Sequence, residues 1–485
     1  MNLYRPPRRG PIVAIVLLSV GLLASTAIAA WQSVELRQAE RRIEELEAGE
    51  GGGGIFGDLQ DAFEDLEGAF EEGLGALGGD TGELLECLLP DEPYSAAPIG
   101  DLPPREQVTA IAEAVEELRE LDFREPVEPR FLSPDEISAR VRKLFLEEYT
   151  AAAGDAESRI LAALGAVPAG TDLRSLRADL LGSQVAGFYD PETGELVVRQ
   201  AGAELTVNDR VVLAHELDHA LTDQALDLPL PDDLRAGRED ADLAATALVE
   251  GDATMLMQRY AASLSLEDQL GSLDQASILD AVQAEADLAE LPPYLQAELR
   301  FPYEAGLSFA CDRYAAGGWD AVDAAYRDPP GSSVEILFPE RSPAAPSPVN
   351  VPGLLLGPWE RVTTSQLGAA QLLWLLEAPG GDPAEGLANA RTTVGDWMGG
   401  SLELWRRGPD SAVGVVITDR PGGPSLCEVV AEWYRRSFDD DDEGRDEGYE
   451  VVTDGPVQDA VVGCFEDEVR LGIAPDLGTA AALVG

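Results

Sequence analysis

The residues best suited to chemistry stand together in Val211-Val-Leu-Ala-His-Glu-Leu-Asp-His-Ala220. Within this stretch, His215-Glu216-Leu217-Asp218-His219 is an H-E-x-x-H pattern. Two imidazoles hold a zinc ion in such a pattern, and the glutamate acts as base toward its water. Four residues is about one helical turn, so both imidazoles leave one helix face. At about 100° per residue, Glu216 lies beside that face, within reach of the same water. A histidine on an apolar helix face is ordinarily a core residue. Here the only two histidines of 485 residues stand four apart with a glutamate between them, which weighs for metal binding.

The elements that must hold these residues can be read on either side. The apolar run before His215 and the Ala-Leu after His219 suit a buried helix, capped by Thr206 or Asn208. Directly upstream, Gln184–Tyr189, Asp190-Pro-Glu-Thr-Gly194 and Glu195–Gln200 read as strand, turn, strand. Downstream, Ala241–Tyr260 is a strongly apolar helical stretch that contains Glu250.

Composition narrows the function. The formal charge is −56, and Lys143 is the only lysine. Such an acid excess excludes a phosphate-binding surface, so no nucleic-acid partner is expected. The acid is spread along the chain, as in halophilic proteins whose charge repulsion is screened by salt.

At the N-terminus, Arg5, Arg8 and Arg9 precede Pro11–Ala30, an uncharged apolar span of bilayer length. A retained single-pass anchor is expected, with the body outside the cytoplasmic membrane. Ala27-Ile28-Ala29 also resembles a signal-peptidase site, whose use would give a secreted protein. Ser33–Glu47 reads as a short charged helix, and Phe56–Phe70 as a second, very acidic one beyond Gly49–Gly54. Together they read as a stalk up to about Gly100. The cysteines are Cys87, Cys311, Cys427 and Cys464. Cys427–Cys464 is the most plausible disulfide, because both lie in one small C-terminal unit; Cys87 and Cys311 then pair or stay free.

The motif blocks resemble the gluzincins, the thermolysin-like clan of zinc peptidases. More closely, they resemble a set of uncharacterised bacterial and archaeal proteins of that clan. The blocks are Gly187-Phe-Tyr-Asp190, His215–Gln224, Leu248-Val-Glu-Gly-Asp-Ala253 and Phe301-Pro-Tyr-x-x-Gly306-x-x-Phe309. One departure is Phe338, where such proteins often carry a histidine.

The resemblance implies a peptide or protein substrate, laid along the edge strand of a small sheet above the metal. It also implies a third zinc ligand, a carboxylate on a second helix, with one position left for water. Two residues compete. Glu239 lies 20 positions after His219 (239 − 219), close to thermolysin-like spacing, whereas Glu250 lies 31 after it (250 − 219). Environment favours Glu250, since an unpaired charge in Ala244–Val249's surroundings is costly to bury. The resemblance places the ligand in the Glu250-Gly-Asp-Ala253 block, so the expected metal ligands are His215, His219 and Glu250. Gly251 is expected to let this helix approach the His215 helix closely. Asp252 and Asp223 are expected to orient histidines. Glu216 is the expected base, and Tyr303 the expected oxyanion donor ahead of Tyr260 and Tyr294.

The expected class is α+β: a mainly helical zincin-like domain with a small antiparallel sheet, then a small C-terminal α+β lobe. The expected divisions are 1–31 anchor or signal, 32–100 stalk, 101–345 metallopeptidase domain and 346–485 lobe. An opposing function is a non-catalytic scaffold or binding protein that keeps the fold around a structural zinc.

Overall fold

The computed structural model describes residues 87–89, 96, 99–185, 187–200, 205–229, 238–265, 268–269, 283–284, 286–340, 349–353, 355–420, 426–438, 443–446, 449–452, 458–465 and 468–485. The span 11–30 and both stretches read as stalk helices lie outside them. Among the described residues no helix is long and apolar enough to cross a membrane, which overturns the expectation of a single-pass protein. The long helices carry charged residues and bury them inside the protein, as Arg210, Asp240 and Asp252 do.

Helix α1 (Pro104–Arg119) starts with proline in its first turn and buries Val108, Ile111, Val115 and Leu118 along one face. Strand β1 (Pro129–Leu132) follows. Helix α2 (Pro134–Glu148) opens on a capping box between Ser133 and Glu136. The periodicity predicts one helix over 133–152. The chain instead breaks at Thr150, whose side chain caps a new helix, α3 (Ala151–Ala163). Helix α4 (Leu173–Gln184) then leads into the hairpin β2 (Gly187–Asp190) and β3 (Glu195–Arg199). The hairpin is antiparallel as expected, but β1 adds to it in parallel, giving the order β1-β3-β2 and leaving β2 at an edge.

Helix α5 (Val207–Leu226) carries the H-E-x-x-H motif, with Thr206 and Asp209 forming its capping box. Helix α6 (Glu239–Ser263) and helix α7 (Pro293–Arg327) are buried along most of their length. Trp319–Tyr326, read from sequence as leading into loop, continues α7 beyond a kink at Gly317 and Gly318. Helix α8 (Ser333–Leu337) ends this part.

Next come β4 (Glu360–Gln366), α9 (Ala369–Glu377), α10 (Ala390–Val394), β5 (Trp397–Arg407), β6 (Asp410–Asp419) and α11 (Leu426–Ser437). They are followed by β7 (Glu443–Asp446), β8 (Tyr449–Val452), β9 (Asp459–Phe465), β10 (Glu468–Ala474) and α12 (Leu477–Val484). The strands form one antiparallel sheet in the order β4-β5-β6-β10-β9-β8-β7. The spacing of Leu367, Ala370 and Leu373 predicts one helix over 364–377, and the acidic run 439–448 reads as a loop. The chain instead divides the first into a strand and a helix at Gly368 and places β7 within the second, and it adds α12 where no element is predicted.

The class is α+β. One buried apolar cluster runs from Leu164 through Leu248, Phe301 and Leu373 to Val413 and Leu471. A second joins Ile111 and Val115 of α1 to Leu213 and Leu217 of α5 and to Leu256 of α6. Both disulfides form, Cys427–Cys464 and Cys87–Cys311.

The tightest crossing is between α6 and α7. A Cβ on Gly251 would stand 2.1 Å from the backbone of Gly306, and one on Gly306 would stand 2.1 Å from Ala247 O. Gly251 therefore permits close approach to α7, not to the His215 helix. Gly251→Ala should lower stability by about 3 kcal/mol or more, despite alanine's better helix propensity, because only backbone could yield. Urea denaturation measures this, and an unchanged midpoint would contradict the crossing.

Candidate metal centre

Helices α5 and α6 lie against each other, and α7 crosses α6 at Gly251. This places the motif face of α5 opposite Glu250, and Tyr303, one turn before Gly306, on the side of α7 that faces them. His215 Nε2 stands 3.0 Å from His219 Nε2 and 3.1 Å from Glu250 Oε2. His219 Nε2 to Glu250 Oε2 is 3.5 Å. The imidazole rings are nearly perpendicular, at 86°. None of the three residues is more than 2% exposed.

One Nε2 could donate to the other, but Glu250 Oε2 at 3.1 Å from His215 Nε2 would then face a lone pair, and neither Nδ1 has a protein partner. A cation between them would use both lone pairs. Tetrahedral zinc with ligand bonds near 2.1 Å separates its donors by roughly 3.4 Å, so these spacings fit it. The three residues could thus hold a metal ion. Burial alone would raise the Glu250 carboxyl, but the imidazoles of His219 and His215 hold it below its ordinary value.

Glu216 is equally buried, and its Oε2 accepts a hydrogen bond from Tyr189 N of edge strand β2 at 3.0 Å. Gly187 makes room for it: a Cβ there would meet Glu216 Cγ at 3.3 Å. Burial, opposed by His215 and reinforced by Glu250, pushes the Glu216 carboxyl up to about 8 in the metal-free chain.

Tyr303 is buried beside the group, its ring centroid 6.3 Å from that of His215. Burial first, then the charges of Glu250 and Glu216, push its hydroxyl well above the usual range, so it stays protonated and able to donate. The other two tyrosines considered sit elsewhere. Tyr294 packs edge-on against Trp374, and Tyr260 lies in the cluster of α1 and α5.

Glu239 is not in the group; its Oε2 accepts from Gln366 N of β4 at 3.0 Å. Neither aspartate expected to orient a histidine makes that bond. Asp252 Oδ2 accepts from Arg119 Nη2 at 3.1 Å and from the Tyr326 hydroxyl at 2.8 Å. Asp223 Oδ2 accepts from the Tyr189 hydroxyl at 2.7 Å. Phe338 lines a separate cleft of about 600 Å³ with Phe301, Trp374 and Arg391, which contains none of the three donors.

Sequence reasoning placed Gly187, Tyr189 and Gly306 in motif blocks without a role for any of them, and missed Arg119 altogether. Arg119 had a signal: it follows Val115 by four residues on the apolar face of α1, where an unpaired charge is not tolerated. The signal for Tyr189 was its place in the Gly187-Phe-Tyr-Asp190 block, which does not say what the residue holds.

No protein-family model, no curated protein and no solved structure matches the chain.

These buried carboxyls fix a pH dependence. Glu216 titrates near 4.5 when free and near 8 in the fold, and burial likewise raises Asp218, Asp223 and Asp240. Between those limits the folded chain holds protons that the unfolded chain has released, so stability falls as pH rises. Metal-free protein should melt several degrees higher at pH 6 than at pH 8. A bound cation favours the ionised carboxyl. Zinc should therefore flatten the slope, and calorimetry at both pH values with and without metal checks both parts.

Proposed function

We propose that this chain is a zinc-dependent endopeptidase of gluzincin type, with His215, His219 and Glu250 as the metal ligands. The observation that carries the reading is Glu216: a carboxyl buried beside the three donors and fixed by the edge-strand amide of Tyr189. The two-nitrogen, one-oxygen donor set is one that zinc hydrolases use, with a further position left for water. When bound, zinc acts as a Lewis acid that acidifies water and polarises a carbonyl.

The chain's own residues supply the rest. Oε2 of Glu216 is engaged by Tyr189, which leaves Oε1 to accept a proton from water and return it to a leaving amine. The Tyr303 hydroxyl donates to the oxygen that gains charge. Edge strand β2 offers backbone groups to an extended peptide.

A second reading, a non-catalytic binding protein with a structural zinc, is favoured by one observation: donors and Glu216 alike are at most 2% exposed. Against it, a structural site has no use for a costly buried carboxyl beside the ligands. Metal analysis together with hydrolysis of a broad peptide library, with and without chelator, separates the two. Bound zinc with no cleavage of any peptide selects the second.

A further inference from the structure

Tyr189 grips helix α5 at two points. Its amide donates to Glu216 Oε2 at 3.0 Å, and its hydroxyl donates to Asp223 Oδ2 at 2.7 Å. Glu216 and Asp223 are seven residues apart, about two turns on one side of α5, so a single tyrosine runs alongside the segment that carries both histidines. The side chain is 2% exposed, and its hydroxyl would be costly to leave without an acceptor.

The position along β2 matters as well. Strand β2 pairs with β3 on one edge only, with Tyr189 opposite Leu196. The Tyr189 amide points to the other edge, where no strand covers it, and there it meets Glu216. One residue earlier, Phe188 is buried in a cluster with Val141, Phe145 and Val197, which fixes the strand from below. Gly187 gives Glu216 its place against the strand, since a Cβ there would stand 3.1 Å from Val197 O and 3.3 Å from Glu216 Cγ. The carboxyl thus lies in the space Gly187 leaves and is held by an amide whose own strand is pinned through the tyrosine hydroxyl.

We infer that Tyr189 and Asp223 form a latch between β2 and α5 that positions the Glu216 carboxyl. This rests on the reading of Glu216 as the base, and neither the Tyr189 hydroxyl nor Asp223 touches substrate or metal in it. The hydroxyl acts at a distance: it holds the strand, the strand holds the amide, and the amide orients the carboxyl. Such supporting bonds are worth a measurable share of rate because a misplaced base transfers protons poorly.

The test uses Tyr189→Phe, which keeps ring and amide and removes one hydroxyl, along with Asp223→Ala and Asp223→Asn. On the best peptide substrate of the zinc-loaded protein, Tyr189→Phe and Asp223→Ala should each lower kcat about tenfold, with KM and zinc content unchanged. The double variant should be no slower than either single one. Asp223→Asn, which keeps an oxygen acceptor, should restore most of the rate. A second readout does not depend on activity. Hydrogen exchange at the Tyr189 amide should speed up about tenfold in Tyr189→Phe and in Asp223→Ala, as it should in Glu216→Ala. If the unaltered protein cleaves no peptide, the proposed function fails, and the exchange rates still decide the latch. Unchanged amide exchange in Tyr189→Phe overturns it, and so does a kcat loss that only tracks a loss of zinc.

Discussion

Glu216→Gln is expected to fold, bind zinc with undiminished stoichiometry and lose peptide hydrolysis by at least about a thousandfold, roughly 4 kcal/mol of barrier. The amide is nearly isosteric with the carboxyl, and it can still accept the Tyr189 N–H bond through its oxygen. What it cannot do is take a proton from water. The substitution also removes a buried ionisable group that burial holds up to about 8. Metal-free Glu216→Gln should accordingly be no less stable than the parent at pH 8, and its melting should depend less on pH. Loss of rate with preserved or improved stability separates chemistry from folding. Turnover that survives in zinc-loaded Glu216→Gln would remove Glu216 from the mechanism, whatever the metal does.

Some of this site was legible before any coordinates, and the reasons are physical. His215, Glu216 and His219 are local: their meeting depends only on the pitch of α5, which its apolar run and the Thr206–Asp209 cap dictate. Glu250 could be favoured over Glu239 because a charge directly after the apolar run Ala244–Val249 demands a partner. Contacts set by tertiary packing were not legible. The Gly251–Gly306 crossing joins residues 55 positions apart (306 − 251), and spacing within one helix cannot reveal which neighbour a glycine admits. Asp252 illustrates the same limit. Its proximity to Glu250 in sequence drew it toward a histidine, yet a helix turns about 200° over two residues, and it faces Arg119 and Tyr326 instead. The end of strand β4, from Thr364 on, was read as helix because Leu367, Ala370 and Leu373 have helical spacing. That pattern belongs to α9, and Gly368 marks where the strand gives way to it.

The choice between Glu250 and Glu239 yields the last prediction, and here position and energetics agree. The two carboxyls begin on the same helix, eleven residues apart, which is about 16 Å along α6. They cannot serve one metal. Glu239 sits in the first turn, where its bond to Gln366 N ties α6 to the edge strand of the large sheet. Glu250 is fully buried, with His215 at 3.1 Å and His219 at 3.5 Å from one of its oxygens. Glu250→Ala should lower zinc affinity at least about tenfold and abolish hydrolysis, since two imidazoles alone leave the ion with too few fixed ligands. Glu239→Ala should keep zinc and activity, and losing the bond to Gln366 N should cost about 1 kcal/mol. Without metal the order of stability changes. Glu250→Ala removes a buried carboxyl that no longer has a cation to face, so metal-free Glu250→Ala should fall closer to its parent than the zinc-loaded pair do. Competitive zinc titration and melting of both variants, with and without metal, measure all four quantities. Zinc lost from Glu239→Ala and kept by Glu250→Ala would move the third ligand to the start of α6, where no histidine is within reach of it.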